Sequence, residues 1–166
     1  MTDKLKASVE PLSLGEIVKA ELYRALPEGG WAEPQLMGWG DLIVNDGRVY
    51  LAQRIGANVN SPMAHMAVGT VSTAAALTNS NLAGEIDRKA MATNSAITDN
   101  VYTAVATWGG AADSVQSIAI VEAGIFNHAG SGQGTMFQRV TFASVTMADS
   151  DLFKLTMQTN VGSNTI

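Results

Sequence analysis

The sequence predicts a mainly β fold, a β-sandwich or partly open barrel, with an amino-terminal helix and one or two short helices. Three observations lead there. Residues 101–108 (VYTAVATW) alternate cleanly, with Val101, Thr103, Val105 and Thr107 on one side and Tyr102, Ala104, Ala106 and Trp108 on the other. About six or seven such segments follow one another at short spacing, separated by Gly, Asn and Ser turns. The longest apolar runs, such as Ile118-Ala119-Ile120-Val121, have strand length.

Residues 12–26 (LSLGEIVKAELYRAL) read as the helix. Ser13 and Glu16 have capping-box spacing. Leu14, Ile17, Val18, Leu22, Ala25 and Leu26 recur at helical intervals, and Pro27 with Gly29-Gly30 ends the run. Such a helix either packs on the core or docks at the end of an arm. Residues 27–41 hold two Pro, four Gly and two Trp, the composition of an irregular connector. Trp31 and Trp39 are costly to expose, because a buried aromatic hides about 150–250 Å². They are expected to pack on the domain or on a neighbouring subunit. The chain thus divides into an arm, residues 1–40, and a β-sandwich-like domain, residues 41–166. An arm of that kind can be removed with the domain left folded.

Within the domain, residues 42–44 are a short apolar run and Asn45-Asp46-Gly47 is a turn or cap signal. Residues 48–55 fit a short amphipathic helix with Val49, Leu51, Ala52 and Ile55 inward, ended by Gly56. Residues 64–69 suit a strand, 70–81 a loop, and 82–90 a helical turn leading into an extended segment. Residues 117–127 hold a strand pair or one bent strand, with Gly124 as the bulge or kink. Residues 128–134 are a turn. Residues 135–147 and 151–161 are two further strands joined around Ala148-Asp149-Ser150.

Composition narrows the function. A length of 166 residues predicts one domain, or one domain with an extension. The chain is 46% hydrophobic and 15% charged, against about 25% charged for an average soluble domain. That combination excludes intrinsic disorder. A net charge of −5 speaks against a nucleic-acid surface, which needs clustered Lys and Arg. Cys is absent, so there is no thiolate metal site or Cys nucleophile. Met1–Glu10 lacks the apolar stretch of a secretory signal, and no segment approaches the roughly 18 apolar residues of a membrane span. Low charge with many Ala, Thr, Ser and Asn fits either a protomer within a larger assembly or a small Ala-rich β-domain.

The side chains that carry chemistry are scattered. His65 sits in an apolar strand and reads as a core or interface residue; His128 opens a Gly-rich turn and reads as exposed. Neither has a second ligand at metal spacing. Asp149-Ser150-Asp151 lacks the ligand count of a calcium loop and reads as a solvated turn. Glu122, inside the apolar IVEAG segment, is either an acid of raised pKa or a carboxylate bonded to backbone amides, and the second reading is preferred. Nothing assembles a nucleophile, base and oxyanion site, so no catalytic residue and no cofactor are expected. A hydrolase or carbohydrate-binding module is weakly supported, with no recognisable carboxylate pair and only three Trp.

Four pieces in order carry a resemblance across residues 41–160: DLIVNDGRVYL at Asp41–Leu51, HMAVGT at His65–Thr70, LAGEIDRKA at Leu82–Ala90, and EAGIFN at Glu122–Asn127 followed by GTMFQR at Gly134–Arg139. Together they resemble a family of small β-rich bacteriophage virion proteins, found as free-standing structural proteins and as the amino-terminal domain of tail-collar fibres. The resemblance implies a non-enzymatic structural protein of the virion, assembled in the host cytoplasm. The first expectation is a capsid decoration (cement) protein, a homotrimer bridging major capsid subunits. The alternative is a tail, collar or baseplate protein that anchors a fibre. No long fibre sequence follows residue 161, which weighs against a receptor-binding fibre. The expected contact residues are Leu14, Ile17 and Leu22 on the helix and Trp31, Leu36, Met37 and Trp39 in the connector. Expected partners are major capsid protein or other virion subunits, without nucleic acid or membrane.

Overall fold

A computed structural model describes residues 14–36, 42–56, 61–92, 96–98, 100–109 and 113–161. It is mainly β, with two five-stranded antiparallel sheets and, among the described residues, one short helix. The first sheet runs β2 (Gln35–Leu36), β1 (Leu14–Tyr23), β10 (Leu152–Val161), β7 (Val101–Gly109), β6 (Ala96–Thr98). The second runs β3 (Leu42–Ile43), β9 (Met136–Thr146), β8 (Ala119–Phe126), β4 (His65–Gly69), β5 (Glu85–Ala90).

The expected amino-terminal helix is a strand. β1 pairs with β10 over ten residues, from Leu14 opposite Val161 to Tyr23 opposite Leu152. Ala20 and Leu22 enter the core at a period of two, while Lys19 is exposed. The apolar spacing of this segment satisfies both periods. A ten-residue ladder with β10 and a core to fill decide between them, since helix propensity is a weak prior that tertiary context overrides. Pro27 and the two glycines do not stop a helix; they close a hairpin. The strand also changes the expectation for the arm. Residues 14–23 and 35–36 are strands of the first sheet, so deleting residues 1–40 would strip β1 from β10 and expose a long strand edge.

The two sheets share a core. From the first sheet come the ladders Ala20–Leu155–Ala106 and Leu22–Phe153–Trp108, all at most 1% exposed. From the second come Met66, Val68, Ala123, Ile125 and Val140. The alternation read in 101–108 places Ala104, Ala106 and Trp108 on the core face, as the pattern requires. Trp108 stacks at 5.9 Å on Phe153 and its indole N–H donates to Asp87 at 2.7 Å.

The bend in the β8–β9 hairpin is not at Gly124. Gly124 pairs in regular register with Arg139 and with Ala67. The register shifts fall at Ile120/Glu122 and Ile125/Phe126, where β9 carries the extra residues. At the second shift Phe137 is the surplus residue between Met136 and Gln138, and it joins the inner core.

Helix α1 (Asn45–Ile55) begins three residues earlier than the pattern suggests, because Asn45-Asp46-Gly47 form its first turn. Its buried positions are Gly47 and Tyr50, whereas Val49 and Ile55 are exposed. The expected inward face is therefore rotated. Tyr50 meets Phe137 edge-on at 6.4 Å, which fixes α1 against β9.

Candidate functional site

Two arrangements of side chains stand out. One is a set of buried ion pairs that tie loops and turns to the sheets. The other comprises two apolar features at opposite ends of the first sheet, a hairpin tip and a recess.

Glu122 is fully buried on β8. Its carboxylate accepts from the backbone N–H groups of Gly84 (2.7 Å), Ala83 (3.2 Å) and Val71 (3.4 Å). Arg139 on β9 donates to the same carboxylate from Nε (3.0 Å) and Nη2 (2.8 Å). Its remaining donors reach the carbonyls of Thr73 (3.0 Å) and Ala74 (3.3 Å) and the Asn79 side chain (2.9 Å). The pair thus ties the 70–84 loop onto the outer face of the second sheet. Gly69 lies opposite Glu122, and a Cβ there would come within 2.6 Å of the carboxylate. Glycine in HMAVGT and glutamate in EAGIFN are thus one steric and electrostatic unit. The backbone-bonded reading of Glu122 holds; its Arg139 partner was not anticipated.

Arg88 does a similar job on β5, at the edge of the same sheet. It pairs with both carboxylate oxygens of Glu85 (2.9 and 2.7 Å) and donates to the carbonyls of His128 (3.0 Å) and Gln133 (2.9 Å). Its guanidinium lies 3.6 Å from the centre of the Phe126 ring. The 128–134 turn is thereby pinned to β5. His128 is exposed, as expected. His65 is half-buried; burial, then the charges of Arg88 and His128, push its pKa below the ordinary value.

Asp151 corrects the reading of Asp149-Ser150-Asp151 as a plain solvated turn. Its side chain is buried and accepts from the N–H groups of Ala148 (2.9 Å) and Ala25 (3.3 Å) and from the Arg24 guanidinium. Burial opposes its charge. The Ala148 N–H, the Arg24 side chain and the Ala25 N–H outweigh that opposition and hold the carboxyl below its usual range. The carboxylate therefore anchors the base of a hairpin that follows β1. In that hairpin Ala25 bridges Trp31, and Gly29 (φ +89°) and Gly30 (φ +86°) form the tip in the left-handed region that glycine tolerates. Leu26 is 37% and Trp31 48% exposed.

Comparison with protein-family models, with curated proteins and with solved structures finds no match for this chain.

The recess lies where α1 meets the other end of the sandwich. It has a volume of about 270 Å³ and is walled by Tyr50 and Leu51 of α1, Met63, Tyr102 of β7 and Phe137 of β9, with Arg54 at the wall as well. The two phenols donate inward, Tyr50 to the Ser61 carbonyl (3.1 Å) and Tyr102 to the Met63 carbonyl (2.8 Å). Burial, with the nearby Tyr50, pushes the Tyr102 pKa up to about 12, so it stays a neutral donor. The walls consequently present carbon, not unpaired polar groups.

Of the residues expected to make contacts, Trp31 is at the surface. Leu22 is in the inter-sheet core, a consequence of the strand, and is no surface anchor. The backbones of Leu14 and Ile17 belong to β1 and that of Leu36 to β2. Met37 and Trp39 lie outside the described residues. Among the described residues no group of three His, Asp or Glu side chains is placed to hold a metal, and no helix is long and apolar enough to cross a membrane.

Proposed function

We propose that this chain is a non-enzymatic structural protein of a bacteriophage virion, a decoration protein that stabilises the head by bridging major capsid subunits as a homo-oligomer, with three copies the simplest ring. One observation carries the reading: a short hairpin, anchored at its base by buried Asp151, presents Leu26 and Trp31 to solvent. Apolar side chains held out together on one anchored hairpin tip favour a surface made for contact. The sequence resemblance supports the virion setting. The buried pairs Glu122–Arg139 and Arg88–Glu85 support a shape-holding role, because each ties a loop or turn to a sheet.

Copy number on purified particles tests the proposal. A gel of virions scaled to the major capsid protein should show this chain in hundreds of copies. A dozen copies or fewer would move it to the tail, collar or baseplate, where the fibre-anchoring alternative applies. Absence from particles would end both readings.

A further inference from the structure

We propose that copies of this chain associate head to tail, with the Leu26–Trp31 tip of one copy seated in the recess of the next. The argument begins with position. β10 starts at Leu152 opposite Tyr23, the residue that leads into the hairpin, and Asp151 bonds the hairpin base. Seven residues later Thr159 lines the recess opposite Tyr102. At about 3.3 Å per residue the two features are roughly 23 Å apart along the strand, at opposite ends of the first sheet. Tip and recess therefore cannot meet within one molecule, but they can meet between two.

Size and chemistry match. A recess of about 270 Å³ is smaller than the usual 300–1,000 Å³ of a small-molecule site. It suits one large anchor side chain, and tryptophan is among the residues most often found in that role at interfaces. Ile55 lies one helical turn beyond Leu51 on α1 and is 84% exposed, so the apolar wall continues outside the recess. Charges agree as well. The tip carries Glu28 and Glu33, both exposed, while its one base, Arg24, is committed to Asp151. The recess carries Arg54. Acid around the knob and base beside the socket orient the encounter and disfavour tip-to-tip contact. The contact joins two different surfaces, and repeated head to tail it builds rings or filaments.

This inference rests on the assembly reading above, and its test separates the two. Sedimentation velocity of the full chain should show mass rising with concentration. Trp31→Ser should weaken that association by about 30-fold or more, as expected for a central aromatic anchor. Leu51→Glu, which sets an acid against Glu28, should do the same; Arg54→Glu, an exposed change, serves if Leu51→Glu does not fold. The decisive sample is the mixture. Trp31→Ser retains the socket and Leu51→Glu retains the knob, so together they should form a 1:1 heterodimer that grows no further. Wild type that stays monomeric, Trp31→Ser that associates like wild type, or a mixture that stays monomeric would each overturn the contact. A chain monomeric in solution but abundant on particles sinks this inference and spares the coat reading; a chain that associates but is missing from particles does the opposite.

Discussion

Replacing Arg139 with Met is expected to destabilise the fold by about 3–5 kcal/mol, the usual result of removing one partner from a buried ion pair. The Glu122 carboxylate would keep three backbone N–H donors but lose the cation bonded to it, at a site with no exposure. The carbonyls of Thr73 and Ala74 and the Asn79 side chain would lose donors together. Against a typical total of about 5–15 kcal/mol, that loss leaves a marginal protein. Denaturant melts of Arg139→Met, Glu122→Gln and the double variant measure it. The coupling in that cycle should exceed about 1 kcal/mol, as it does for partners in one network. Proteolysis within the 70–84 loop should quicken in every variant. A coupling near zero would mean that the loop is not held through the pair.

Trp108→Ala should be comparably damaging, about 3–5 kcal/mol, through the void left in the core. Trp108 is fully buried, stacks on Phe153, and supplies the N–H that meets Asp87. The void therefore comes with an acid stripped of its partner. Trp108→Phe keeps the ring stack and loses the donor, and should cost nearer 1–2 kcal/mol. At roughly 2–4 °C per kcal/mol for a chain of this size, thermal melts separate the two substitutions. Equal losses would show that the N–H bond to Asp87, lost in both variants, and not ring packing sets the role of this side chain.

The β domain was legible because its strands obey period two. In 101–108 Ala104, Ala106 and Trp108 join the inter-sheet core at a period of two while Val105 is buried outside that cluster, and the same period holds for Phe153, Leu155 and Met157 in β10. The amino-terminal segment misled because Leu14, Ile17, Val18 and Leu22 satisfy helical spacing, while the partner that makes them a strand lies more than 130 residues away in sequence. No local signal carries such a pairing. Gly124 misled for a related reason: a glycine in a strand marks a bend or a close approach, and here neighbouring Phe137 is the inserted residue. Glu122 was recognisable as a bonded carboxylate because an acid amid Ile, Val, Ala and Gly needs partners. Arg139 and Arg88 were not, since their acceptors include carbonyls of the 70–84 loop and the 128–134 turn, which only the fold brings near. The recess could not be foreseen either: its walls come from α1, the Pro62-Met63 segment and three strands of both sheets.

The proposed role of this chain is to strengthen a particle by gripping its neighbours. Adding the purified chain back to particles that lack it tests that most directly, with heat-induced release of the genome as the readout. The account predicts that saturating addition raises the release temperature, and that the Trp31→Ser chain at the same concentration raises it much less. Particles that release their genome at the same temperature with and without the bound chain would contradict it.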